Sequence, residues 1–118
     1  MLKPEYRLKK HSAFNATYKT GKSIHKDGIT VFCGRLKNNE IKTKFGFVVS
    51  KKIHKRAVKR NRIKRLMRES LRLYIKNCDN FDTKYISLIF VASSKLLDKN
   101  FHDINITVEK IMKVLIND

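Results

Sequence analysis

Apolar positions recur along this chain in two rhythms, and the places where one gives way to the other outline its elements. From His11 to Thr20, Phe14 and Tyr18 stand four apart on one helical face, and Gly21 stops the helix. Ile29 to Leu36 is rich in β-branched and aromatic residues and predicts a strand, with a shorter strand before it around Ser23 to His25 and a turn at Asp27-Gly28. Lys37 to Glu40 carries the turn signal Asn38-Asn39. Lys44 to Ser50 then alternates Phe45, Phe47 and Val49 as a second main strand, which predicts a hairpin with the first. From about Lys55 to Asn77 the period becomes helical: Ile63, Leu66, Met67, Leu73 and Tyr74 share a face with the small Ser70, and Asn77 and Asn80 end the run. Tyr85 to Ala92 is almost continuously apolar, the pattern of a strand covered on both faces. Phe101 to Ile116 is helical again, with Ile104, Val108, Ile111, Met112 and Leu115 on one stripe. The order predicts an α+β domain, a small sheet with helices packed on it, and no internal boundary divides residues 1–118.

Composition narrows the class. Among 118 residues, 42% are hydrophobic, enough for a core that buries roughly two-thirds of the unfolded chain's surface. Four Gly and one Pro are too few for a loop-rich or low-complexity chain. No apolar run approaches the roughly 18 residues of a spanning helix, and Met1 to Lys10 lacks the apolar core of a signal peptide. Cys33 and Cys78 stand far apart, without zinc-ligand spacing, as two thiols kept reduced. The expected location is the cytoplasm.

Charge changes the picture most. The 28 Lys and Arg outweigh 10 Asp and Glu, a net charge of +18 and a pI near 10.2. The excess is local: Lys51 to Arg72 holds eleven cations, with Glu69 the only acid, whereas the last third is close to neutral. Arg56, Arg60, Lys64, Arg68 and Arg72 recur every fourth residue and predict a stripe along one side of the long helix, widened by Lys59, Arg62 and Arg65. Arginine forks match phosphate oxygens and stack on bases, and such a row implies salt-dependent binding to a nucleic-acid backbone. Calmodulin targets and membrane-surface helices are basic too, but they need a free apolar face, which here is committed to the core. A merely solvated basic face is the remaining alternative.

The run Lys51-Lys52-Ile53-His54-Lys55-Arg56-Ala57-Val58-Lys59-Arg60-Asn61-Arg62-Ile63-Lys64-Arg65-Leu66-Met67-Arg68-Glu69 closely resembles the signature of the bacterial ribonuclease P protein subunit, centred on Arg60-Asn61-Arg62. Arg7-Leu8-Lys9-Lys10 with Phe14, Tyr18 and Gly21 is similar to that family's N-terminal helix, and Gly46-Phe47-Val48-Val49-Ser50-Lys51-Lys52 to its strand-to-helix transition. The likeness covers about residues 6 to 76, and beyond that only the order of elements. It implies an αβββαβα domain whose long helix joins two parallel neighbouring strands by a left-handed crossover, against the usual hand. It also implies an accessory protein in a ribonucleoprotein endoribonuclease: a large catalytic RNA, with Mg2+ mainly on the RNA, removes the 5′ leader of precursor tRNA. Carried over, Arg56, Lys59, Arg60, Asn61, Arg62, Lys64, Arg65 and Arg68 would meet the catalytic RNA. Phe14, Tyr18, Phe32, Lys51 and Lys52 would hold the single-stranded leader. The family often carries a basic Ala-Arg-Lys after its last strand; here the chain reads Val91-Ala92-Ser93-Ser94-Lys95, leaving only Lys95 to serve that rim.

Each residue also has a plainer reading. Phe14, Tyr18 and Phe32 pack a helix on a sheet as readily as they stack on bases, and Asn61 is a poor helix former that serves equally as a neutral spacer. His54, surrounded by cations, suits a polar loop beside a phosphate better than a catalytic base, since general acid–base hydrolysis of RNA needs a second positioned group. The carboxylates are scattered, without the cluster a two-metal nuclease requires. The residues therefore describe an RNA-binding surface without a catalytic constellation of its own. Two other classes remain at this level: a ribosomal or chaperone-like RNA-binding module, and an autonomous nuclease. DNA and membranes are not expected partners.

Overall fold

In the computed structural model, which describes residues 2–37, 42–78 and 81–117, the elements run in the predicted order. A 3-10 turn (Pro4–Tyr6) precedes α1 (His11–Lys19), β1 (Lys22–Lys26), β2 (Ile29–Cys33), β3 (Lys44–Val48), α2 (Ala57–Lys76), β4 (Ser87–Ala92), a second 3-10 turn (Ser94–Leu96) and α3 (Phe101–Asn117). The strands form one mixed sheet in the order β1-β2-β4-β3.

The strand with the longest apolar run takes the interior place. β4 pairs antiparallel with β2 and parallel with β3, and Leu88, Ile89 and Phe90 are fully buried. Alternation then assigns faces. Leu88, Phe90 and Ala92 join Ile29, Val31 and Cys33 of β2 and Phe45 of β3 in the main core. Ile63, Met67 and Leu71 of α2 and Ile104, Val108, Ile111 and Met112 of α3 close over that face. Burying each such side chain is worth about 1.5–3 kcal/mol. Where the two helices cross, the buried Ser70 lets them approach and donates to Asn105 Oδ1 at 2.7 Å. Asn100 caps α3 by accepting from the Asp103 amide at 2.9 Å.

On the other face lie Ser87, Ile89 and Val91 of β4, Thr30 and Phe32 of β2, and Gly46 of β3, with α1 laid across part of it. The buried Thr17 fixes α1 there, its hydroxyl hydrogen-bonded to that of Ser87 at 2.5 Å. Near the end of the helix the Thr20 hydroxyl donates to the Cys33 carbonyl.

The predicted hairpin between residues 29–36 and 44–50 does not form. β2 has β1 and β4 as neighbours, and β3 lies beyond β4 on the sheet edge. Alternation identifies strands and faces but not partners, and here β4 takes the place between β2 and β3. The hairpin that exists joins β1 and β2 through Asp27-Gly28, where φ is +46° and +94°, the primed-turn geometry that an Asp-Gly pair supplies. The strand predicted to Leu36 breaks its regular ladder after Cys33, yet Leu36 still bridges to Tyr85. The Asn38-Asn39 turn and Asn80 lie outside the described residues. As the resemblance implies, α2 joins parallel neighbours, β3 and β4.

Candidate nucleic-acid interface

The turn of α1 sets its two flanks apart. Four residues separate Phe14 from Tyr18, so both rings leave the same side of the helix, while Thr17 points down to the sheet. Tyr18 meets Phe32 of β2 edge-to-face, ring centroids 5.0 Å apart at 76°. Partial burial raises the Tyr18 phenol above its ordinary pKa. Phe14 lies over β3 at Gly46, where an added Cβ would come within 2.6 Å of the ring. These aromatics are half-buried or exposed: they hold α1 to the sheet and keep ring surface open to a ligand, so the two readings of them coexist.

At Phe14 this surface meets the basic helix. Lys64 and Arg68 line a hollow of about 310 Å³ with Phe14, Gly46 and Phe47. Arg7, Leu8 and Lys9 complete its wall. These were not among the predicted leader residues, because what brings them there is a one-residue parallel bridge, Arg7 to Phe45, and a Leu8 amide that donates to the Phe45 carbonyl at 2.9 Å. The only signal for them in the sequence was the basic run before α1. Aromatic faces and fixed cations around one hollow suit single-stranded nucleic acid, in which bases stack while phosphates are neutralised.

Along α2 the fourfold row of cations drifts around the helix and its members find different surroundings. Each step of four advances about 40°, so from Arg56 to Arg72 the row turns through about 160°. Arg60 folds back onto the preceding loop and donates to the His54 and Lys55 carbonyls at 2.9 and 2.7 Å. Lys64 and Arg68 face the hollow, whereas Arg72 forks onto Glu69, whose carboxyl the arginine holds below its usual pKa. Arg62 departs from the stripe: its guanidinium reaches round to the Lys99 carbonyl at 3.1 Å on the α3 side. Lys59, Asn61 and Arg65 project into solvent. Among the described residues, Arg72 is the one member of the predicted set that meets a carboxylate.

Lys51 and Lys52 are exposed in the turn after β3, where the Ser50 hydroxyl accepts from the Lys52 amide. α2 begins without a side-chain cap from Arg56 and without an acid in its first turn; instead His54 Nδ1 accepts the Arg56 amide at 3.0 Å. That bond makes His54 a loop clasp, in line with its plainer reading. The N-terminal pole of α2 thus adds positive potential to the cations around it. Lys95 is exposed beside the β1–β2 turn, its Cβ at the position that blocks a side chain on Gly28. Among the described residues no three His, Cys, Asp or Glu side chains converge to hold a metal ion, and no helix is long and apolar enough to cross a membrane.

Comparison with known proteins agrees with this geometry. The family model described as Ribonuclease P matches residues 2–115, well past the signature-bearing stretch at residues 6–76. The ribonuclease P protein component of Clostridium novyi (strain NT) is 36% identical over 112 residues, 95% of each chain. That of Clostridium kluyveri is 37% identical over 111 residues, 92% of each. Among solved structures, the RNase P protein of Staphylococcus aureus superposes with a TM-score of 0.76 at 30% identity, covering 95% of this chain and 98% of that one.

Proposed function

The chain belongs to the ribonuclease P protein family, and on that premise we propose how it works as the accessory subunit of a ribonucleoprotein endoribonuclease. It binds a large catalytic RNA through α2, with Arg65, Asn61 and Lys59 outermost. It holds the 5′ leader of precursor tRNA between the aromatic flank of α1 and the cations Lys64 and Arg68, with Lys51 and Lys52 beyond. Two polyanions must be brought together in the complex, and +18 charges on a small domain lower their mutual repulsion. Hydrolysis of the phosphodiester, and the Mg2+ it uses, belong to the RNA in this reading; the scattered carboxylates of this chain are a poor donor set for such ions. The subunit works in the cytoplasm. Its contribution to specificity is the leader contact, which precursor tRNA offers and mature tRNA lacks.

The observation that carries the proposal is the hollow in which Phe14 of α1 meets Lys64 and Arg68 of the basic helix. Precursor tRNA and Mg2+ are incubated at low salt with protein alone, with ribonuclease P RNA alone, and with both. Cleavage stimulated only in the mixture is expected. Cleavage by the protein alone would reassign the chemistry to this chain, and an unstimulated mixture would leave a generic RNA-binding module.

A further inference from the structure

The opposite flank of α1 is built differently. Ala13 and Ala16 replace the rings there and, with Gly34 after β2, floor a groove that three adjoining hollows of about 290, 350 and 410 Å³ make continuous along the helix. Lys9 stands at one end, Lys44 and Arg35 where neighbouring hollows join, and Lys19 at the other end. Gly34 keeps the floor low: a Cβ on it would lie 2.3 Å from the Ser87 hydroxyl that anchors Thr17. Among the described residues, those lining this groove include no aromatic ring and no carboxylate side chain.

The contrast between the flanks points to different ligands. Rings bind unstacked bases; a ring-free groove with a small-residue floor and spaced cations has nothing for a base face, but it admits a sugar–phosphate ridge and neutralises it. Nine residues of α1 span about 14 Å, room for two or three phosphates of a strand whose bases face away, as in a duplex. We propose that this groove is a second docking surface for the RNA subunit, which grips the backbone of one of its helical segments while the aromatic flank holds the leader. The proposal rests on the function proposed above and adds a separate contact to it.

The test is a titration of the full-length protein with ribonuclease P RNA across 50–200 mM salt, comparing wild type, Arg35→Ala/Lys44→Ala, Ala16→Glu and, as a reference for α2, Arg65→Ala. Far-UV circular dichroism checks the fold of each. Losing two phosphate contacts lowers the slope of log affinity against log salt by about 1.8, so the double variant's deficit shrinks about 12-fold over that range. Ala16→Glu, exposed on α1, should weaken RNA binding without changing the ratio of precursor to mature tRNA affinity. An unchanged slope in the groove variants while Arg65→Ala lowers it overturns the groove alone; unchanged slopes in all three overturn the α2 assignment as well. A loss confined to precursor tRNA would make the leader the occupant and overturn the assignment to the RNA subunit.

Discussion

Replacing Gly46 with alanine sets a methyl group against the Phe14 ring, to which we assign a part in the proposed leader grip. The new Cβ would stand 2.6 Å from Phe14 Cε1 and 2.7 Å from Cζ, against a comfortable carbon–carbon contact of about 3.6 Å, so the ring must retreat by about 1 Å. α1 cannot simply lift, because Thr17 is bonded to Ser87 and Thr20 to the Cys33 carbonyl. Two effects on stability oppose each other: overpacking costs about 1–3 kcal/mol, while the stiffer unfolded chain returns about 0.4–1 kcal/mol. Net stability is therefore a poor reporter, and binding is the better one. If Phe14 stacks on a leader base, its displacement forfeits up to about 1–3 kcal/mol, a roughly 5- to 150-fold weaker affinity for precursor tRNA. Mature tRNA should bind the reconstituted complex as before. The assay is equilibrium binding of both tRNAs in a double-mutant cycle of Gly46→Ala with Phe14→Ala. Once Phe14 is absent, Gly46→Ala should add little. Full additivity, or an unchanged precursor affinity in Gly46→Ala alone, would refute the idea that this glycine acts by admitting the ring.

Thr17→Val should lower stability by about 1–3 kcal/mol in urea denaturation, because it strands the buried Ser87 hydroxyl; adding Ser87→Ala should recover most of the loss, and no recovery would count against the pair. Burial alone would raise the Asp82 carboxyl's pKa, but the Lys37 ammonium and the Thr83 and Thr43 amides outweigh it and hold the group below its ordinary value. A lowered folded-state pKa stabilises above the unfolded value of about 3.9 and is lost as pH falls through the folded one. The urea midpoints of wild type and Asp82→Asn should therefore differ at pH 7 and converge toward pH 3, whereas a constant gap would remove Asp82 from the acid response. Glu69→Gln releases Arg72 from its fork and should steepen the salt dependence of RNA binding by up to about one unit of slope; an unaltered slope would take Arg72 off the RNA-facing surface.

Helix and strand identity, and the direction each face points, were legible in the order of residues. β4 announced itself by an apolar run interrupted only by Ser87, α2 by Ile63, Met67 and Ser70 at helical spacing, and the β1–β2 turn by Asp27-Gly28. These signals are local: a residue's neighbours three, four or two positions away decide which period buries its side chain. The nature of the ligand was equally legible, because charge is additive and eleven cations in one segment need no fold to be counted. What the tertiary structure alone decided is who sits beside whom. β3 took β4 rather than β2 as its neighbour, because an interior strand needs two partners and alternation names none. The drift of the α2 cations follows from a step of four overshooting a full turn, but only the fold gave Arg62 the Lys99 carbonyl and Arg60 the loop before its own helix. Phe14 reached Gly46, and Thr17 reached Ser87, across 32 and 70 residues of sequence. Such contacts depend on how the chain closes over its core, and no periodicity along the chain encodes that closure.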